Sequence, residues 1–448
     1  MGGDNGLVRE SLNVASLGVQ GVPVARAAIV AAVALALATL TGGCRSAPRS
    51  VDQAFLDQRV AEHEERALRL RSELARRFLD RLEWRHAQIQ ADGGDGPVVI
   101  NALLLSSGGQ FGAFGVGVLE GWGKVEQSDV ARPTFDIVTG VSTGAMIAPF
   151  AMSGTDYSIG RIATLYRQAD DSLAVLRGLL FFLPWRESFF DNRTLRERIE
   201  REIDMEAIAE VAEAHRQHRM LLVGATDLDL GQFHIWDMGM EAERAVETGD
   251  PSLFQKAMLS SASIPGAFPP VEINGTLFAD GAAAQATFFG LDREAIGDVV
   301  RAFRERNPDA PTPVFRFWMI VNGHLDAGPS LVEQRWVSIA ARSVAVMLSY
   351  AQRTTLRQMQ FGAELLERDY GLPVEFRYIA IPAGVDLPES QSRMFDQELI
   401  ARLHEVGSEL GRDPASWRTD AISPVIPGSS ITLDGGLFGP ALTPAAGD

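Results

Sequence analysis

The segment VVINALLLSS, residues 98–107, most narrows what this chain can fold into. It is apolar almost throughout, and continuous apolar runs suit strands covered on both faces, as in parallel sheets. It leads into SSGGQFGAFGVGVLEGW, where glycines give way to small and apolar residues, predicting a turn and then a helix over about 112–122. The same order recurs. FDIVTGVS predicts a second strand, followed by a helix over 143–152. Residues 219–238 read as a strand and its hairpin partner around 229–231, and VFRFWMIVNG and VEFRYIAIPAG as later strands. Residues 330–368 read as one long helix or a broken pair. Strands alternating with helices mean an α/β fold with a central, mainly parallel sheet.

Upstream, residues 51–91 are charged and predicted helical. Leu70, Leu74, Phe78 and Leu82 recur every four residues and form one apolar stripe. Seven arginines lie between Arg66 and Arg85. Such a helix either packs its stripe on the main domain or serves as a spacer near an anionic membrane surface. ADGGDGP, residues 91–97, breaks it. The expected organisation is a leader over 1–43, a charged helical spacer over 44–97, a main domain over 98–423 and an irregular tail over 424–448.

The net charge is −17, which argues against a nucleic-acid partner. The one cysteine, Cys44, excludes an intrachain disulfide and thiolate-rich metal sites. It follows VPVARAAIVAAVALALATLTGGC, in which Arg26 precedes an apolar run over 27–40. That run is short for a membrane span of about 20 residues and suits the apolar region of a signal peptide. The stretch resembles a bacterial lipoprotein signal, with Thr41 where a large apolar residue is usual. The resemblance implies a lipidated Cys44 and a membrane-anchored protein of the cell envelope, on the periplasmic face in a diderm bacterium. An uncleaved anchor would also tether it.

Three short segments could build one site. In the first, Gly108, Gly109 and Gly112 follow a strand and precede a helix, so backbone N–H groups can converge on a negative charge. Their spacing is not G-x-G-x-x-G, and no P-loop lysine is present. An oxyanion hole is then the functional reading, and a close-packed turn the structural one. In the second, GVSTG sets Ser142 between Gly140 and Gly144, as a nucleophile elbow or as a tight turn. In the third, LFADGAAA sets Asp280 before Gly281. Asp-Gly is a favoured turn pair, and it could equally hold a carboxylate near Ser142. The prolines and glycine of SSASIPGAFPPVEINGT make a rigid turn upstream of it.

These segments, in this order, resemble the patatin-like phospholipase family. GAFGVGVLEGW, GVSTGA, SASIPGAFPPV and ADGA carry the resemblance, which covers roughly residues 98–370. It implies a patatin-like three-layer α/β/α fold and a phospholipase A or lysophospholipase type of acyl ester hydrolysis without a cofactor or metal. Carried over, Ser142 is the nucleophile, Asp280 its partner, and the backbone around Gly108, Gly109, Gln110, Phe111 and Gly112 the oxyanion hole. The substrate would be a lipid or phospholipid. Ser107 stands where the family often has a third glycine, and Phe111 where it often has a basic residue. Because the hole uses backbone N–H groups, it can survive both changes.

An aspartate of ordinary pKa is a weak base for a hydroxyl, so positioning and oxyanion stabilisation must supply most of the rate. None of the seven histidines sits in a recognisable catalytic or metal-ligand setting; His215 and His218 read as solvated. A conventional triad would need His324 or His404. Phe181, Phe182, Trp185, Phe189 and Phe190 crowd residues 176–192, as a buried helix pair or as an acyl groove or membrane-touching flap. Thr226 and Asp227 read as closing a turn beside the sheet. Two other functions keep the same sequence: an esterase or thioesterase on soluble acyl substrates, and a catalytically weak lipid-binding or envelope scaffold lipoprotein.

Overall fold

The computed structural model describes residues 52–421 apart from 127, 170–174, 177–187 and 389–394. The Cys44 leader, the aromatic residues Phe181, Phe182 and Trp185, and the tail from Pro424 lie outside the described residues.

The chain opens with α1 (Gln53–Ala91), then β1 (Val99–Leu105), α2 (Gly112–Trp122), β2 (Ile137–Val141), α3 (Thr143–Ser153) and α4 (Asp156–Arg167). A short antiparallel pair follows, β3 (Val175–Leu176) with β4 (Phe190–Asp191). Next come α5 (Arg193–Glu202), α6 (Met205–Arg216), β5 (Met220–Asp227), β6 (Gln232–Asp237), α7 (Met238–Thr248) and α8 (Ser252–Ser261). The remainder is β7 (Val271–Ile273), β8 (Thr276–Asp280), α9 (Arg293–Arg306), β9 (Val314–Val321), α10 (Trp336–Tyr370), β10 (Val374–Ala380) and α11 (Gln397–Arg412). Residues 330–368 thus hold one long helix, α10, that begins at Trp336.

Eight strands form the main sheet, in the order β10-β9-β1-β2-β5-β8-β7, with β6 also paired to β5. The five strands from β10 to β5 are parallel; β6, β7 and β8 are antiparallel additions. Alternation along β1 explains its apolar run. Leu103 and Leu105 join the core under α2, α3, α4 and α11, while Ile100, Ala102 and Leu104 join the core under α1, α9 and α10. With both faces covered, no position on the strand is left for a polar pattern. The result is a three-layer α/β/α arrangement.

Two contacts set the layers close. Gly407 of α11 faces the Phe114 carbonyl and Gly117 of α2 faces the His404 carbonyl, with no room for a side chain at either glycine. The two helices therefore touch backbone to backbone. On the other face, α1 is built into the cover of the sheet. Leu74, Phe78 and Leu82 are fully buried, and Arg81 donates to Asp136 at 2.7 Å while Asp136 also accepts the Asn101 N–H at 2.7 Å. Arg77 pairs with Asp237 at 2.7 Å. His215, read from the sequence as solvated, is buried beneath α1, where its ring lies 3.1 Å from Arg77 Nη1 and 3.4 Å from Glu243. A local pattern could not reveal this burial, because the covering helix lies far away in sequence.

Candidate active site

β2 ends at Val141, and α3 begins at Thr143, leaving one residue to make the turn. That residue, Ser142, has φ +55° and ψ −120°, a conformation costing on the order of 1–3 kcal/mol for a side-chain-bearing residue. Both flanking glycines are required by close approach. A Cβ on Gly140 would lie 2.5 Å from the Gly144 carbonyl, and one on Gly144 would collide with the Leu105 carbonyl of β1. The Ser142 N–H donates to Ser261 Oγ at 2.9 Å, and the Ser261 hydroxyl donates to the Gly224 carbonyl at 2.6 Å. The end of α8 thus braces the turn against β5. The Thr143 N–H, first in its helix, has no intrahelical acceptor.

Asp280 reaches Ser142 through the sheet. β2 covers one edge of β5 as far as the Val141–Gly224 pair. β6 covers the other edge over Leu222–Asp227, so β8, paired to Ala225–Asp227, takes the edge that β2 has vacated. β8 runs antiparallel to β5, and its last residue, Asp280, pairs with Ala225. The two strands therefore meet end to end, Ser142 leaving one and Asp280 the other. The β7–β8 hairpin closes on Asn274 and Gly275, both at positive φ, as a type I′ turn demands. Asp280 is held on all sides. Its N–H donates to the Ser263 carbonyl at 2.8 Å, its carbonyl accepts the Thr226 hydroxyl at 2.9 Å, and its Oδ1 accepts the Ala282 N–H at 2.8 Å. Burial pushes its carboxyl up to about 6, against the pull of hydrogen bonds from the Ser142 hydroxyl and the Ala282 N–H. Thr226 thus holds the Asp280 backbone, while Asp227 closes the β5–β6 turn by accepting the N–H groups of Asp229 and Leu230.

The glycine loop lies beside this pair. Gly108 sits against the backbone of Asn322, leaving no room for a Cβ, and Gly109 has φ +56°. The loop is pinned from outside: the Asn322 side chain donates to the Ser106 carbonyl at 2.7 Å, and Gln352 to the Ser107 carbonyl at 2.9 Å. Gln110 Oε1 accepts the Asp396 N–H at 2.8 Å, tying the loop to the start of α11. Phe111 lies edge-on to His324. A side chain on Gly112 would strike the Thr143 hydroxyl, so the first residues of α2 and α3 are in contact and their positive dipole ends converge. No partner among the described residues takes the N–H of Gly108 or Gly109.

An apolar pocket opens over these groups. Gly109, Ser142 and Thr143 lie in it, with Met146, Leu165, Leu195, Ile264, Phe268 and Phe395 on its walls. Phe190, from the aromatic run, packs on Phe268. Arg198 is the one charged side chain lining the pocket among the described residues, and no histidine lines it. His324 lines another cleft together with Asp326, its ring edge-on to Phe111 of the glycine loop, and His404 lies 2.9 Å from Glu120. Ser261, Thr226, Asn322, Gln352 and Arg198 were not singled out as site residues by sequence reasoning. Each acts through contacts between distant segments, for which the local pattern holds no signal.

No curated protein matches the chain. Among solved structures, the crystal structure of VipD from Legionella pneumophila is similar over 69% of this chain and 67% of that chain, at 11% identity and a TM-score of 0.31, a likeness too slight to carry an argument. Residues 103–290 match the family model described as Patatin-like phospholipase. The glycine loop, the Ser142 turn and Asp280 all fall inside that match to a family of lipid acyl hydrolases.

Proposed function

We propose that the protein is a serine acyl hydrolase of the phospholipase A or lysophospholipase type, with Ser142 as nucleophile and Asp280 as its base. The observation that carries this reading is the meeting of β2 and β8 on one edge of β5, which sets the Ser142 hydroxyl against a buried carboxyl pushed up to about 6. A base of that strength is better matched to neutral pH than an ordinary aspartate. Asp280 takes the hydroxyl proton as Ser142 Oγ attacks the ester carbonyl. The N–H groups of Gly108, Gly109 and Thr143 receive the charge that forms on the carbonyl oxygen. The C–O bond then breaks, and the alcohol or lysolipid leaves with the proton from Asp280. A water activated by Asp280 next attacks the acyl-enzyme and releases the fatty acid. The apolar pocket walls suit an acyl chain, which favours lipid over small soluble esters.

A fluorophosphonate probe tests this directly. The wild type is expected to label and Ser142→Ala not to. Asp280→Asn should lose at least about a thousandfold in ester turnover, the range seen when one member of a nucleophile–base unit is removed. Undiminished labelling of Ser142→Ala, or a folded wild type that neither labels nor turns over ester, would overturn the reading and favour a lipid-binding scaffold.

A further inference from the structure

The pocket over Ser142 holds a group that ester hydrolysis alone does not use. Arg198, on α5, lines it together with Gly109 and Ser142. Its Nη2 donates to the Gln168 carbonyl at 3.2 Å. Its Nη1 is buried and has no hydrogen-bond partner among the described residues. Arg59 and Arg85 also each leave a buried Nε unpartnered, but neither lines this pocket; the most deeply buried arginines spend their donors. Arg81 is paired with Asp136, Arg77 with Asp237, and Arg219 donates to the carbonyls of Phe135 and Met152. A buried donor left unpaired is costly and needs a reason. In a chain of net charge −17, a guanidinium facing an apolar pocket with no carboxylate among the described lining residues is also out of keeping with its surroundings.

We propose that Arg198 is a phosphate-binding residue that selects glycerophospholipids over uncharged acylglycerols, a reading that rests on Ser142 being the nucleophile. Guanidinium matches the oxygens of a phosphate, often two at once. In a glycerophospholipid the phosphate lies only a few bonds from the ester carbonyls, so one pocket can hold the carbonyl at Ser142 and the phosphate at Arg198. The fatty-acid carboxylate is a poorer candidate, because it forms at Ser142 itself. The glycine loop from Ser106 to Gly112 carries no charged side chain, so the phosphate would find its cation on α5 instead.

Two measurements on the full chain test this. The first is kcat/KM on a monomeric short-chain phosphatidylcholine and on the uncharged diacylglycerol with the same acyl chains. Arg198→Gln is expected to lower the first by about 10–100-fold and the second by less than about threefold, with Arg198→Lys recovering part of the loss. The second is binding of a diether phospholipid, which has no ester to cleave. It should weaken by about tenfold or more in Arg198→Gln, with the melting temperature unchanged. Because binding needs no turnover, a failure of the nucleophile assignment, read from fluorophosphonate labelling, leaves this comparison standing. Equal losses on both esters, a fall in melting temperature matching the loss of activity, or unchanged binding of the diether lipid would each overturn the proposal.

Discussion

A buried carboxyl strains the fold that holds it. Asp280 ionises near 3.8 in the unfolded chain and at about 6 in the folded one. Below 3.8 both states hold the proton, and above about 6 both have lost it. Between these values the folded state keeps a proton that the unfolded chain has released. The stabilisation this gives is complete below 3.8 and lost as pH rises through 6, about 3 kcal/mol for two pK units. Asp280→Asn cannot ionise. Its urea-unfolding free energy at pH 8 should therefore exceed that of the wild type by up to about 3 kcal/mol, with the gap closing near pH 4. Equal stability at pH 8 would contradict the burial account. With Asp280 as the proposed base, the same shift would set the acid limb: kcat/KM should rise with pH through about 6 and stay level to pH 8, whereas an ordinary aspartate would place the inflection near 4.

The site is assembled by elements that meet only in space. The parallel strands were legible because both of their faces are buried, and β1, β2, β5, β9 and β10 appear where their apolar runs predict them. Which strand lies against which edge was not legible. SSASIPG reads as a rigid turn, yet Ser261 within it receives the Ser142 N–H and reaches the Gly224 carbonyl. Ser261→Ala would leave a buried donor and a buried acceptor without this partner. The expected cost is about 2 kcal/mol in urea unfolding, with kcat falling at least tenfold and KM little changed. A kcat within twofold of the wild type would mean that the elbow holds its shape without the brace. The helix α11 was not foreseen at all. Gly407, Ser408 and Gly411 depress its helical signal, and they are present because α2 lies directly against it. Gly407→Ala forces a methyl group into the Phe114 carbonyl. It should cost about 1–3 kcal/mol, read from the denaturation midpoint at unchanged m-value.

At the scale of the whole molecule, α1 connects the folded body to whatever the leader does. Its apolar stripe shares a buried core with β1, β9 and α9, and Arg81 and Asp136 are both almost wholly enclosed. Replacing Arg81 with Met leaves Asp136 buried with only the Asn101 N–H, so a loss of about 3–5 kcal/mol is expected in denaturant unfolding. No described helix is long and apolar enough to cross a membrane. We propose that the lipoprotein-like leader before Cys44 holds the body at a membrane. Only residues 45–52 separate Cys44 from the first residue of α1, a stretch that reaches at most about 30 Å when extended. A lipid on Cys44 would keep the body within that reach of the bilayer surface, and lipid substrates with it. Expressed with its full leader in a bacterial host, the wild type should sediment with membranes and resist a high-salt wash, since salt screens electrostatic adsorption but not an inserted lipid anchor. Cys44→Ala should shift the protein to the soluble fraction or leave it unprocessed at its leader, with no change in kcat/KM on a monomeric short-chain ester. Wild type that washes off in salt, or Cys44→Ala that fractionates and is processed as the wild type is, would refute lipidation at this cysteine.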